Sequence, residues 1–451
     1  MSMIYTLLLC VFILEFVFES YYFTNSYFCM ILFLFCSVSF IFKRRRESKV
    51  CPDLLFLLFA FVVFFYKELI MDNVEFISAL FDQFSDKQYL RGRCLNMIAF
   101  FSYLLGANYR SNVNMYNNKL KIIYQFNIGK VSFYLPHFTT LFLILSFVSG
   151  KISLVNHYAL SNVGFSNTFI VFNTILIVIT TVVEFIRLYF LGTSCFKQFM
   201  LKVNKQYLFT FTIYALILLN IGYRSGAILV VLPFIISYSI FIKEIEAKKF
   251  FIILMSGILC MVIIGFTRSG DGFSTSTFTF YNSLRDFGPA YLTNTGLISY
   301  TDSHGIHGIG MGLRQLFSSI PFLGGIVEAI SPSSYSVDEQ SAVLATKLFQ
   351  SKNNLESGLG TSLIGDLYYS GHLIWVVIYM FLLGRISSIC YEKIYHIRKI
   401  DIYTFVLYLW FFANSVFLLR AEWYSYFRYI GFSWMILFVL QFVYTKKIYL
   451  K

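Results

Sequence analysis

The sequence predicts an all-α, polytopic membrane protein, a helical bundle of about 12 transmembrane helices with one large helical outer loop. Three observations carry that reading. Hydrophobic residues make up 58% of the 451 positions and charged ones only 13%, too few to cover a soluble globular surface. Apolar runs long enough to span a bilayer follow one another at short intervals. The lysines and arginines behind the net charge of +13 fall mostly in the gaps between those runs, which makes the excess a topology signal and not a nucleic-acid surface.

Taken as apolar stretches of roughly 15–23 residues, the spans fall at about 3–19, 26–42, 52–66, 94–107, 133–150, 168–190, 207–221, 225–242, 250–267, 364–383, 402–419 and 429–445. The first run carries Glu15 and Glu19 at its far end, lacks a small-residue cleavage site and is followed at once by another apolar run, so it reads as a span and not as a leader. Placing Lys43, Arg44, Arg45, Arg46 and Lys49 in the cytoplasm fixes the alternation of the rest. The basic residues then divide 22 on the cytoplasmic side to 13 on the other, which supports the placement. Both termini are thereby cytoplasmic. The chain divides into 1–267 with spans 1–9, an outer loop over 268–363, and 364–451 with spans 10–12. The eight cysteines lie in or near spans or in cytoplasmic gaps, so they draw no disulfide framework, and none has zinc-type spacing.

The outer loop is the one long polar stretch, and it holds twelve of the 26 glycines. Glycine at that density points to turns and close backbone approaches. Leu313, Leu316, Phe317 and Ile320 share a helical face before Pro321 stops the helix. Ser336 and Glu339 have capping-box spacing ahead of a second helix near 337–350. The loop therefore reads as a small helical cap. Outside it, residues 72–86 put Phe76, Ile77, Leu80, Phe81 and Phe84 on one face and Asp72, Glu75, Asp82 and Asp86 toward the other, the pattern of a helix lying on the outer surface.

Arginines recur on the outer side: Arg224 in GYRSG, Arg268, Arg285 and Arg314 in the loop, and Arg420 and Arg428 around the last outer turn. Guanidinium groups stay charged and offer forked donors, so Arg224, Arg285, Arg314, Arg420 and Arg428 are candidates to hold a pyrophosphate in one cleft without a metal. Each also suits an interfacial anchor. Arg268 abuts the ninth span and reads as its stop. For a proton acceptor the first candidate is Asp366 in GTSLIGDLYYSG, an ionisable group at the outer end of an apolar run. Its other reading is a carboxylate at a helix start. Glu356, Glu422, Asp271, Asp286 and Asp302 are further acids, and His372 is a secondary acid or base. His304 and His307 form an HxxH pair with no further clustered ligand, so neither a metal nor a cofactor is expected. Glu184 and Arg187, one turn apart, read as a structural ion pair.

The twelve-span layout, GYRSGAILVVLPF, the single large outer loop before the penultimate hairpin and GLGTSLIGDLYYSGHLIWVVIYMFLLG together resemble bacterial oligosaccharide repeat-unit polymerases, the Wzy-type O-antigen polymerases. The layout covers almost the whole chain, and the motifs cover about 222–235, 358–384 and 420–428. In the family pattern an acid is followed by an aromatic and an Asn-Phe-Gly-like turn. Here Asp366 precedes Leu367, Tyr368, Tyr369, Ser370 and Gly371, so the acid and the glycine match while the middle departs.

The resemblance implies a GT-C-like membrane glycosyltransferase at the periplasmic face of the bacterial inner membrane. It would polymerise undecaprenyl-pyrophosphate-linked repeat units into O-antigen or a related surface polysaccharide, alongside a chain-length regulator and other assembly-pathway proteins. In that reaction the growing chain passes to a hydroxyl of a new lipid-linked unit and undecaprenyl pyrophosphate leaves. Arginines would stabilise the leaving charge and a base would take the hydroxyl proton. The layering of apolar spans, outer arginines and polar loop suits a substrate with a prenyl tail, a pyrophosphate and sugars. An O-antigen ligase is the alternative of similar architecture. Ligases of that kind carry a histidine-led motif near the end of the large loop, where this chain offers an acid. A flippase or other transporter is the alternative of a different class, and internal repeats with charges in mid-membrane would mark it.

Overall fold

The computed structural model describes residues 2–45, 51–70, 84–109, 121–123, 126–149, 164–220, 223–246, 249–250, 288–305, 340–353, 360–396 and 399–444, with isolated positions between 252 and 326. In chain order its helices are α1 (Ser2–Phe18), α2 (Ser26–Arg45), α3 (Pro52–Phe64), α4 (Tyr66–Ile70), α5 (Asp86–Asn108), α6 (Ile128–Val148), α7 (Gly164–Phe190), α8 (Phe196–Lys202), α9 (Lys205–Asn220), α10 (Arg224–Phe241), α11 (Gly288–His304), α12 (Ser341–Asn353), α13 (Leu363–Tyr391), α14 (Ile402–Asn414) and α15 (Phe427–Val443). The fold is all-α apart from one parallel pairing of two three-residue strands, β1 (Lys121–Ile123) with β2 (Lys399–Asp401). Pro52 opens α3 at a position where its missing N–H costs nothing. Ser85 and Gln88 close a reciprocal capping box at the start of α5.

Among the described residues three helices are long and apolar enough to cross a membrane: Ile128–Val148, Phe169–Phe190 and Leu363–Tyr395. Shorter apolar helices cover Ser2–Phe18, Ser26–Phe42, Pro52–Phe64, Ser225–Phe241, Ile402–Asn414 and Phe427–Val443. Helices α5 and α9 occupy two more of the apolar runs, while the run 250–267 and the surface helix expected over 72–86 lie almost wholly outside the described residues. One boundary differs from expectation. The run 402–419 is helical only to Asn414, and a turn and a short 3-10 segment, Leu418–Arg420, carry the chain to α15.

The chain forms two compact units. One comprises Met1–Asn118, Thr275–Arg398 and Ser415–Phe427, the other Lys119–Ser274, Lys399–Asn414 and Arg428–Lys451. In the first, α5 and α13 cross at backbone contact. A Cβ on Gly106 would stand 1.9 Å from the Phe381 carbonyl oxygen, and one on Gly384 would stand 2.2 Å from that of Tyr103, so both crossing points demand glycine. With Ser102 four residues before Gly106 and Ser388 four after Gly384, the seam has the small-residue spacing of membrane helix pairs. Phe12 stacks on Phe101 at 5.7 Å to pack α1 on α5, and Phe33 stacks on Phe100 at 4.1 Å to pack α2 there. At the same crossing the buried Asp53 accepts from Tyr103 Oη at 2.5 Å and Ser387 Oγ at 2.9 Å, which ties α3, α5 and α13 together.

Helix α11 belongs to the segment read as an outer loop, yet it is buried on nearly every side in the first unit, packed on α13, α5 and α12. Its polar residues are matched there: Asn294 Nδ2 donates to Asn96 Oδ1 at 2.9 Å, and Gln88 Nε2 donates to Ser299 Oγ at 2.6 Å. Helix α12 falls where the second loop helix was expected, and Leu313, Leu316 and Phe317 are helical as their spacing predicts, while Ile320 lies outside the described residues.

The second unit is joined by hydroxyls. Thr139 meets Thr180 at 3.0 Å, Thr140 meets Thr210 at 2.7 Å, and Tyr214 and Tyr207 reach Thr174 and Thr181 at 2.8 Å each. In a bilayer, where lipid gives helices no hydrophobic reason to associate, such bonds would be worth about 0.6 kcal/mol apiece and would add to close packing.

Candidate functional site

Helix α13 breaks at Gly371 and His372, five and six residues after Asp366. Gly371 has φ −156 and ψ 22, and His372 has φ 58 and ψ −162. A side chain at Gly371 is barred because its Cβ would stand 2.6 Å from that of Trp375. Histidine at positive φ with so extended a ψ sits in a region nearly reserved for glycine and costs about 1–3 kcal/mol. Strain of that size persists where surrounding contacts hold it, and here they are polar.

His372 Nε2 lies 2.8 Å from Tyr368 Oη, and Tyr368 Oη donates to Asp302 Oδ1 at 2.7 Å. Arg91 clasps Asp302 with two nitrogens, Nε on Oδ2 and Nη2 on Oδ1 at 2.9 Å, and its Nη2 also reaches Tyr368 Oη at 3.3 Å. Tyr21 Oη accepts from Arg91 at 3.3 Å, and Glu19 faces both Lys87 at 2.5 Å and Arg91 at 3.6 Å. The network draws on α5, α11, α13 and the turn after α1, all in the first unit. Its outer members are ionised. The Lys87 hydrogen bond and charge hold the Glu19 carboxyl below its usual range, and Glu19 in turn holds the Lys87 ammonium above its own.

The hydrogen-bond order fixes the imidazole. Tyr368 has one proton, given to Asp302, so toward His372 it accepts, and Nε2 carries the ring's N–H. Neutral His372 then keeps its lone pair on Nδ1. A proton acceptor therefore stands two hydrogen bonds from a guanidinium.

Asp366 has a different setting. It is 3% exposed in the first turn of α13, its Oδ2 accepts the Trp423 amide at 2.9 Å, and Ser341 at the start of α12 is a second partner. It joins three segments, α13, α12 and the turn before α15. Glu422, next to Trp423, has its carboxyl pushed up by burial.

The five arginines expected to share a cleft are spread over both units. Arg314 and Arg420 are half-buried in the first, while Arg428, half-buried in the first turn of α15, and Arg224, which opens α10, belong to the second. Arg285 lies outside the described residues, as do Arg268, Asp271, Asp286, His307 and Glu356. His304 stacks on Tyr300 at 4.1 Å and bonds Ser303 at 2.8 Å. Glu184 and Arg187 form the ion pair their spacing predicts, at 2.5 Å. Among the described residues no group of three or more His, Cys, Asp or Glu could hold a metal ion.

Arg91, Tyr368 and Glu19 carry the network and do not stand out in the sequence. Arg91 is 211 residues from Asp302 and 277 from Tyr368. No family model matches the chain, and neither does a curated protein or a solved structure.

Proposed function

We propose that the protein is an inner-membrane glycosyltransferase that polymerises undecaprenyl-pyrophosphate-linked repeat units at the periplasmic face, with about twelve spans, both termini cytoplasmic and 268–363 outside. One observation carries the reading: a base with its lone pair on His372 Nδ1, held beside the Arg91 guanidinium at a break in an apolar helix. In the reaction the acceptor sugar's hydroxyl gives its proton to Nδ1 as its oxygen bonds to the anomeric carbon of the growing chain. The bond from that carbon to pyrophosphate breaks, and the electron pair leaves with undecaprenyl pyrophosphate beside Arg91 and Lys87. Asp366 is the second candidate for the base, and Arg224, Arg285, Arg314, Arg420 and Arg428 remain candidates for further pyrophosphate or glycan contacts.

The proposed alternation supports the reading independently. Glu19, Lys87, Arg91 and Asp302, which touch one another, all fall on its outer side. Asp53, Tyr103 and Ser387, which also touch, fall toward its inner side.

A ligase-like transfer is the second reading, favoured by the same His372, since the acid expected in its place is buried and bound. Proteoliposomes holding the purified protein separate the two. With lipid-linked single repeats as the sole substrate a polymerase makes a ladder of chain lengths, whereas a ligase makes product only after a core-lipid acceptor and a finished chain are added. No covalent product under either condition sinks both.

A further inference from the structure

Between α7 and α9 the chain turns at Gly192, which has φ +66, and forms the short helix α8. Phe199 fixes α8 from beneath, stacked on Phe185 at 5.6 Å and edge-on to Phe234 at 5.9 Å and Tyr238 at 5.7 Å. Beside that anchor apolar side chains stay largely uncovered: Phe196, whose ring stacks on Phe199 at 6.1 Å, is still 63% exposed and Leu201 72%, with Met200 exposed beside them and Phe190 just before the turn. Apolar side chains gain free energy on leaving water, so the arrangement suits a helix whose outer side is not in water.

The charge here has one sign. Between Phe185 and Lys243 the sequence has no Asp or Glu. Glu184 is engaged by Arg187 and by the Asn204 amide at 2.7 Å, so it offers no counter-ion to Lys197, Lys202 and Lys205, which are exposed and form no salt bridge among the described residues. Lys202 Nζ donates to the Leu191 carbonyl at 2.8 Å, and Lys205 Nζ donates to that of Met200, which leaves each exposed ammonium further donors. An apolar side rimmed by unneutralised lysines is the make-up of a helix lying in the plane of an anionic membrane surface.

We propose that α8 is an in-plane anchor for anionic glycerophospholipid, with Phe196, Met200 and Leu201 at the acyl boundary and Lys197, Lys202 and Lys205 on the headgroup phosphates. The surface lies in the second unit and does not depend on the catalytic reading. Attraction of roughly 1 kcal/mol per lysine near such a surface corresponds to about fivefold in affinity.

The test titrates dioleoylphosphatidylglycerol and, separately, dioleoylphosphatidylcholine into the purified full-length protein in mild detergent and follows bound lipid by native mass spectrometry. Wild type should hold phosphatidylglycerol in preference. Lys197→Glu, which leaves both lysine-to-carbonyl contacts in place, should weaken that preference by at least about fivefold, and K197Q/K202Q/K205Q should abolish it. K243Q/K249Q, in a segment that carries Glu244 and Glu246, should leave it intact. Equal binding of the two lipids by wild type overturns the proposal, as does equal loss in K243Q/K249Q. So does a Lys197→Glu protein with unchanged melting temperature and unchanged preference.

Discussion

His372 Nε2 and Tyr368 Oη lie 2.8 Å apart across the break in α13, one turn of chain yet two backbone regimes, since Tyr368 is helical and His372 has φ 58. The contact sets the histidine's tautomer, and the backbone strain is what permits the contact. This coupling separates the residue's structural role from its chemical one.

His372→Gly should relieve the positive-φ strain and raise the melting temperature in detergent, while polymer formation falls by about 10²–10⁴-fold with the base removed. His372→Gln keeps the strain and should lose activity without gaining stability. Wild-type ladders from the glycine variant would make the residue a hinge and not a base.

Arg91→Lys keeps the charge and loses the fork. An ammonium cannot reproduce the planar two-nitrogen clasp on Asp302, so turnover should fall well below wild type while membrane insertion is unaffected. Arg91→Ala leaves Asp302 without its clasp and should also lower thermal stability. A lysine variant with full turnover would remove the guanidinium geometry from the mechanism.

Asp366→Asn can still accept the Trp423 amide and should remain folded with most of its activity. Asp366→Ala leaves that buried N–H without its partner, at a cost of about 1–3 kcal/mol. Complete loss of ladder in a stable Asn variant would transfer the base from His372 to Asp366.

Glu422 gives a pH test. Burial raises its carboxyl, opposed in part by a hydrogen bond from Tyr424. A folded value above the unfolded one means that the folded state holds the proton more tightly. The stability this adds is present in full below the unfolded value of about 4.3 and is lost as pH rises through the folded value. Glu422→Gln mimics the neutral acid throughout. Its melting temperature relative to wild type should therefore climb as pH rises above about 4. A difference that stays flat over that range would place the carboxyl in water.

Gly106→Ala and Gly384→Ala should each destabilise the first unit by about 1–3 kcal/mol, because the methyl meets a backbone carbonyl that cannot turn aside. Thermal scans in detergent read the loss directly. If both alanine variants melt with wild type, α5 and α13 do not touch as described.

The apolar runs are legible in the sequence because each is long enough to announce itself without its neighbours. The position of α12 and the Glu184–Arg187 pair are legible for the same reason, being local. Helix α11 is not: Thr293, Asn294, Thr295 and Thr301 make it read as polar loop, and only Asn96, Gln88 and the glycine-lined approach at Gly365, where a Cβ would stand 3.1 Å from Asn294 Cα, make burial affordable. The Arg91 cluster escapes for want of any short-range trace, its members converging from four separate segments. Asp366 stands out as an unusual carboxylate, but no spacing rule shows that the Trp423 amide already occupies it.

The hydroxyl contacts that join α6, α7 and α9 bear on how this protein can change over generations. Thr139, Thr140, Thr180, Thr181 and Thr210 fix which helix faces which, whereas outward positions such as Phe138, Leu141, Ile144 and Phe209 need only be greasy. Mutation can therefore exchange one aliphatic or aromatic residue for another over most of that perimeter at little cost. Two descendants of one ancestral gene could share little recognisable text there and still share a fold, with inheritance legible chiefly in their threonines and glycines.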